Sequence, residues 1–204
     1  MTVAWAAYGV TLLLAYVVPG PDFLLVLHWG TRSRREGLAA GLGAQAGLSV
    51  HVLLAVAGLT TVITAWPASL AFIRYLGAAY LIWLGLRMAF SPPAQGASRN
   101  SSATRGAGAA ARQAFGTNLL NPKAIIFVSS VLPQFTDGPW PMWLQLLILG
   151  AVDVAAGLIV WAAVVALGHG LTGWLRRPAV DRWWRRLNGI LLCALAILLA
   201  ASQL

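Results

Sequence analysis

The sequence predicts an all-α integral membrane protein whose six transmembrane helices form two inverted three-helix repeats. The first observation is composition, since 59% of the 204 residues are hydrophobic and only 9% are charged, whereas soluble domains carry about 25% charged residues. The second is a set of six apolar segments, each long enough to cross a bilayer. The third is a polar segment that leaves three apolar segments on either side of it.

Each predicted span holds about 20 mainly apolar residues, the length that a helix needs to cross the hydrocarbon core of a membrane. The six spans are Val3–Thr31, Leu38–Ala65, Leu70–Phe90, Phe115–Phe135, Met142–His169 and Leu187–Leu204. We do not expect the first span to be a cleaved signal peptide, because it lacks a basic leading segment and Pro19-Gly20-Pro21 interrupts it.

The arginines predict the orientation of the spans. Twelve arginines lie in or beside the first, third and fifth loops, and only Arg74 lies on the opposite side. Because positively charged loops stay in the cytoplasm, these three loops are predicted to be cytoplasmic. Both termini of this multi-pass protein are then predicted to lie on the outer side of the membrane.

Residues 91–112 are rich in Ser, Gly, Ala and Pro, which predicts a flexible cytoplasmic loop. This loop divides a single transmembrane domain, residues 1–204, into repeat one (1–90) and repeat two (113–204). Since each repeat has an odd number of spans, repeat two enters the membrane in the opposite sense to repeat one. Such inverted repeats are typical of secondary transporters.

The first span is predicted to break in the middle of the membrane. Pro19 and Pro21 have no amide hydrogen, so the carbonyls of Ala15 and Val17 lose their helical partners. Gly20, between the two prolines, permits backbone angles that other residues avoid. A new half-helix is therefore expected to start near Asp22, the residue after Pro21.

The fourth span is predicted to break in the same way. Pro122 frees the carbonyl of Asn118 and biases Asn121 away from helical geometry. A second half-helix then starts at Lys123. Paired broken helices indicate the binding site of a transporter, because freed backbone groups are tolerated in a membrane where they line a cavity. Two structural kinks are the alternative interpretation.

Three charged residues lie well inside predicted spans and away from the span ends, where a charge costs about 2.5–3.5 kcal/mol unless it is paired or hydrated. Asp22 and Lys123 follow the two breaks and have opposite signs, so they are expected to pair or to bind the two charges of a zwitterion. A helix cap for Asp22 and extension to the interface for Lys123 are the alternatives. Asp153 or Asp22 is expected to carry a proton during transport, although Asp153 also fits an interhelical hydrogen bond.

Four uncharged or weakly basic side chains complete the candidate substrate-binding or coupling set. Asn118 and Asn121 flank the second break. His51 and Gln45 lie in the second span among glycines, which fits either a polar face on the transport path or tight helix packing.

Several functions are excluded by the sequence. It has no phosphate-binding loop for ATP, no His/Cys cluster at metal-ligand spacing and no nucleophile motif, so we expect no cofactor, no metal site and no enzyme activity. The net charge of +9 comes from arginines beside apolar segments, which argues against nucleic-acid binding. The single cysteine, Cys193, cannot form an intramolecular disulfide.

The motifs taken together resemble a known family. In order over residues 10–136, the chain carries Pro19-Gly20-Pro21-Asp22, Arg34-Arg35-Glu36-Gly37-Leu38, Gly77-Ala78-Ala79-Tyr80-Leu81, Asn118-Leu119-Leu120-Asn121-Pro122-Lys123 and Leu132-Pro133-Gln134-Phe135. These motifs resemble the lysine exporter/homoserine–threonine resistance (LysE/RhtB) family.

The resemblance implies a six-helix exporter of amino acids in the bacterial cytoplasmic membrane, driven by the proton gradient. Its partners would be a small amino acid, protons and membrane lipids. An exporter of metals or inorganic ions with the same architecture, or a membrane assembly factor that transports nothing, remains an alternative. Glycine-rich helix faces fit packing within one chain or in a homodimer, so the oligomeric state stays open.

Overall fold

In a computed structural model, the structure describes residues 5–17, 20–66, 68–90, 106–136, 139–168, 170 and 178–201. All regular structure in these ranges is helical. Residues 91–105, most of the predicted loop, and Pro19 lie outside the described residues.

The helices fall on either side of the predicted loop. Before it lie α1 (Trp5–Val17), α2 (Pro21–Arg32), α3 (Arg34–Leu54), a π-helical turn (Ala55–Leu59), α4 (Thr60–Ala65) and α5 (Ala68–Phe90). After it lie α6 (Ala107–Leu119), α7 (Pro122–Ile126), a π-helical turn (Phe127–Val131), a 3-10 turn (Leu132–Phe135), α8 (Met142–Ala166) and α9 (Pro178–Ala201).

Some of these helices are long enough to cross a membrane. Among the described residues, Arg34–Gly58 and Met142–Ala166 are long and apolar enough to cross a membrane, and α1 with α2 makes a third if the bent pair is one span. The axes of that pair differ by 62°. The prediction of an all-helical membrane protein is confirmed, while the arrangement of six spans in inverted repeats stays a prediction.

The largest differences between the predicted and the observed helix starts are at α6 and α9. α6 begins at Ala107 rather than Phe115, so residues 107–112 of the predicted loop are helical. Ala110 and Ala114 are fully buried, because this face of α6 packs along α3. α9 begins at Pro178 rather than Leu187, since proline favours the first turn of a helix and an apolar-segment criterion does not count arginine-rich turns.

α3 lies at the centre of the fold and packs against α2, α6 and α8. Its start is fixed locally, since the Ser33 hydroxyl accepts a hydrogen bond from the Glu36 amide at 3.1 Å. Its glycines allow the close approach of α6, because a side chain at Gly43 would overlap the carbonyl of Ala111. The close contact of α3 and α6 positions the polar residues described next.

Candidate functional site

A cavity of about 70 Å³ lies beside α3, between two clusters of buried apolar residues. Leu48 and Phe127 belong to one cluster and Phe23 and Trp161 to the other, and all four line the cavity. Seven of the residues singled out from the sequence also line it: Gly20, Asp22, Gln45, Asn118, Asn121, Lys123 and Asp153. The structure therefore brings both predicted breaks to one place.

Asp22 lies in the first turn of α2 and is buried, with 7% of its surface exposed. α2 starts with Gly20 in an extended conformation, followed by Pro21 as the first helical residue. The Oδ2 atom of Asp22 accepts hydrogen bonds from Asn118 Nδ2 at 2.9 Å and from Asn121 Nδ2 at 2.8 Å. The carboxyl thus joins the two breaks, and Gly20 rather than Asp22 is the N-cap residue of α2.

Asn121 has two functions at the second break. It is the N-cap residue of α7, where its Oδ1 atom accepts a hydrogen bond from the Lys123 amide at 3.0 Å. Its Nδ2 atom is then directed to Asp22. The main chain of Pro122 starts α7, and its side chain lies outside the described residues.

The Lys123 ammonium reaches the first break rather than the membrane interface. Its Nζ atom donates a hydrogen bond to the carbonyl of Ala15 at 2.6 Å. Ala15 is the residue whose carbonyl was expected to lose its helical partner. The alternative in which Lys123 extends to the interface does not match this geometry.

Asp153 lies on α8 and is 3% exposed. Its Oδ1 atom accepts a hydrogen bond from the Tyr16 hydroxyl at 2.7 Å, and that hydroxyl lies 3.4 Å from Gln45 Nε2. Gly157, one turn along α8, leaves room for this group, because a side chain there would overlap Tyr16 and Gln45. Asp153 therefore makes the interhelical hydrogen bond that the sequence left as an alternative.

His51 does not line this cavity. Its Nε2 atom lies 3.2 Å from the carbonyl oxygen of Asn118, the carbonyl freed at the second break. The imidazole also lines a second cavity of about 320 Å³, with mainly apolar neighbours such as Ile73 and Val128. His51 supports the break from outside the polar cavity.

Four polar atoms of the cavity-lining residues are buried and have no hydrogen-bond partner among the described residues. They are Asp22 Oδ1, Gln45 Oε1, Asn118 Oδ1 and Trp161 Nε1. Buried polar groups are nearly always hydrogen-bonded, and each one left unpaired costs about 1–3 kcal/mol. Their concentration around one cavity indicates a binding site for a polar ligand.

Sequence reasoning missed the aromatic part of this site. Tyr16 bonds Asp153, and its ring packs edge-on against Trp161 with the centroids 5.6 Å apart. For Tyr16, the sequence offers one signal: it directly follows Ala15, the residue whose carbonyl is expected to lose its helical partner at the first break. Trp161 gave no signal, because tryptophan is common in apolar helices.

Within the described residues, no group of three or more His, Cys, Asp or Glu side chains is arranged to hold a metal ion. The residues that line the polar cavity carry carboxyl, amide, hydroxyl, indole and ammonium groups. This set suits an organic molecule that carries charges of both signs.

The model of the LysE type translocator family matches residues 13–203. The chain belongs to this family. LysE type translocators are membrane transporters and not enzymes, so the family resemblance predicted from the motifs and the absence of an enzyme function are both confirmed.

Several bacterial relatives extend over most of this LysE type chain. An uncharacterized membrane protein of Vibrio cholerae is 30% identical over 98% of this chain and 97% of its own length. The homoserine/homoserine lactone efflux protein of Salmonella typhi is 29% identical over the same shares. The leucine efflux protein of Klebsiella pneumoniae is 34% identical over 65% of this chain and 67% of its own length. No solved structure matches the chain.

Proposed function

We propose that the protein exports a small neutral amino acid across the bacterial cytoplasmic membrane, using the polar cavity as its binding site. One observation carries the proposal: an acidic and a basic side chain line a cavity whose walls hold four buried polar atoms that have no hydrogen-bond partner within the described part of the chain. At roughly 10–15 Å³ for each water-sized sphere, about 70 Å³ accommodates the ammonium, α-carbon and carboxylate of an amino acid.

In this proposal the two charges of the substrate bind at opposite sides of the cavity. The ammonium bonds to Asp22, whose Oδ1 atom is unpaired, and to the unpaired Oδ1 atom of Asn118. The carboxylate bonds to the Lys123 ammonium and to the unpaired indole N–H of Trp161. Charge-assisted hydrogen bonds of this kind are about twice as strong as neutral ones.

The substrate side chain meets the apolar wall formed by Phe23, Leu48, Phe127 and Trp161. This wall offers no charge, so the side chain itself is uncharged. The names of two relatives agree, since homoserine and leucine both have uncharged side chains.

The proposed architecture has six spans in two inverted repeats, with helices 1 and 4 broken and both termini outside. The helix bounds support it, because one helix ends at Val17 and the next starts at Pro21, while another ends at Leu119 and the next starts at Pro122. The hydrogen bonds of Asp22 with Asn118 and Asn121 then hold the two repeats together at mid-membrane.

Export is proposed to be coupled to proton entry. Inward movement of one proton releases about 2.3 kcal/mol of free energy for each 100 mV of membrane potential. The carboxyl of Asp153 or Asp22 binds a proton from outside after the amino acid leaves, and releases it inside. Both carboxyls line the substrate cavity, which lets proton and substrate compete.

Export of a metal or inorganic ion is less well supported, because the described residues hold no metal-ligand cluster. A non-transporting assembly factor would leave the unpaired polar atoms at the cavity without a ligand to offset their burial.

The experiment is amino acid efflux from cells that have been preloaded with dipeptides, comparing cells that express the protein with cells that lack it. We expect one or a few neutral amino acids to leave faster in expressing cells and a protonophore to abolish the difference. If no amino acid responds, the export proposal is rejected, and a parallel metal challenge then tests the ion-export alternative.

A further inference from the structure

Both breaks leave a carbonyl without its helical partner. Ala15 lies four residues before Pro19, and Asn118 lies four residues before Pro122, so neither carbonyl can accept the usual amide hydrogen bond. In the structure, each carbonyl lies within hydrogen-bond distance of a side-chain nitrogen from the other half of the chain, and the Asn118 carbonyl also accepts a hydrogen bond from the Asn121 amide at 2.9 Å. Lys123 Nζ lies 2.6 Å from the Ala15 oxygen, and His51 Nε2 lies 3.2 Å from the Asn118 oxygen.

The two caps differ in what surrounds them. Lys123 and Ala15 both line the polar cavity, so their hydrogen bond lies at the edge of the space a substrate would occupy. His51 does not line that cavity. A ligand in the cavity can therefore compete for the Lys123 cap but not for the His51 cap.

We propose that Lys123 holds the C-terminal end of α1 before substrate binds, and that the substrate carboxylate displaces the Ala15 carbonyl from the Lys123 ammonium. The inference rests on the proposed export of amino acids. A carboxylate is a stronger hydrogen-bond acceptor than a peptide carbonyl. The Lys123 ammonium therefore leaves the Ala15 carbonyl and bonds the substrate carboxylate. Binding of substrate then releases the end of α1.

Two other side chains of α1, Tyr8 and Tyr16, form hydrogen bonds with α8. The Tyr8 hydroxyl donates to the Leu149 carbonyl at 2.8 Å, which ties the first turn of α1 to α8. At the C-terminal end, the Tyr16 hydroxyl bonds Asp153 within the cavity wall. Loss of the Lys123 cap removes the hydrogen bond to the main chain of this last turn. Of these two contacts of the turn, only that of the Tyr16 side chain then remains and holds it to α8, while the part around Tyr8 also stays on α8.

The test is hydrogen–deuterium exchange of the purified full chain in lipid nanodiscs, with L-homoserine and L-leucine added separately. In the wild-type protein we expect a transported amino acid to speed exchange in the last turn of α1 at least threefold. In Lys123→Gln, exchange there is already fast without substrate and does not change when substrate is added. Lys123→Arg, which keeps the charge, restores the slow exchange.

His51→Ala is the matched control, because it removes the side-chain contact to the Asn118 carbonyl and His51 itself does not line the polar cavity. It should speed exchange around Asn118 and still show the substrate response in α1. If Lys123→Gln does not fold, the wild-type response alone decides the matter.

An unchanged exchange rate in α1 of the wild-type protein, with an amino acid that the same preparation transports, overturns the inference and leaves the proposed function intact. If the reconstituted protein transports no amino acid, the proposed function fails and this inference fails with it.

Discussion

At the scale of single residues, Asp22 joins the two halves of the chain. One carboxyl oxygen accepts hydrogen bonds from Asn118 and Asn121, and the other is buried and unpaired among the described residues. The paired oxygen fixes the carboxyl in the cavity wall. In the proposed site the unpaired oxygen bonds the substrate ammonium, so we expect loss of the charge of Asp22 to weaken export.

Asp22→Asn should lower the export rate of neutral amino acids about 10- to 100-fold, because a hydrogen bond to a charged group is worth about 1.5–3 kcal/mol. The measurement is initial efflux rate at equal amounts of protein in the membrane. Glu36→Gln, the same change at a partly exposed ion pair with Arg32, is the control and should export normally. Normal export by Asp22→Asn would contradict the assigned role.

Asp153→Asn should separate transport from proton coupling. Exchange of substrate across a vesicle membrane should persist, since this side chain contacts Tyr16 rather than the break. Accumulation driven by an imposed proton gradient should be lost, because an amide cannot carry the proton. If the variant still accumulates substrate against its gradient, Asp153 is not the coupling group, and Asp22 takes that place in the account.

The sequence allowed the ionised residues of the site to be predicted, but not their exact contacts. Asp22, Lys123 and Asp153 are conspicuous because a charge inside an apolar segment is costly. Tyr16 and Trp161 have no such signal, and only the packing of α1 against α8 shows that they reach the cavity. The contact between Lys123 and Ala15 joins residues far apart in the chain, which spacing rules do not address.

At the scale of helices, glycines set how closely α3 approaches α6. A side chain at Gly43 would overlap the backbone of Ala111, whereas one at Gly116 on α6 would meet nothing within 4 Å. Replacing Gly43 by a larger residue should therefore destabilise the protein more than the same replacement of Gly116.

Gly43→Ala should lower the thermal stability of the detergent-solubilised protein, since overpacking typically costs about 1–3 kcal/mol. Gly116→Ala should leave it unchanged or raise it slightly, because alanine is about 1 kcal/mol better than glycine inside a helix. Thermal unfolding followed by circular dichroism measures both. Equal melting temperatures for the two variants would show that the α3–α6 contact is looser than described.

Helix existence was more predictable than helix starts. Among the described residues, each of the six apolar segments coincides with helical structure, but α6 and α9 begin well before their apolar segments do. The first turns of α6 consist of small residues that bury against glycines, and small residues carry little hydropathy signal. Packing against a neighbour, which the sequence alone does not specify, decides where such a helix starts.

At the scale of the whole molecule, the architecture depends on which side of the membrane each loop occupies. The arginine pattern predicts a cytoplasmic loop at residues 91–112 and outside termini. In a Cys193→Ser background, Ser102→Cys should react with a membrane-impermeant thiol reagent only after the cells are permeabilised. Pro139→Cys, between the fourth and fifth spans, should react in intact cells. The reverse labelling pattern would show that the topology is the opposite of the predicted one, and the proposed direction of transport would then be reversed as well.

That the chain is an all-helical membrane protein could be predicted because membrane helices obey strong composition rules. Three spans on each side of one polar segment predict inverted halves, and proline in the first span of each half predicts where the binding site lies. The sequence could not predict how the halves interlock at Asp22, because that depends on side-chain geometry in the assembled bundle.

The most direct test of the account is counterflow in liposomes that contain only the purified protein. Vesicles are loaded with unlabelled L-homoserine or L-leucine, and entry of the labelled amino acid is followed. We predict transient accumulation of label with the wild-type chain for at least one of the two, and none with Asp22→Asn. Absence of counterflow for every neutral amino acid tried, in vesicles that contain folded protein, would contradict the assignment of the cavity as an amino acid site.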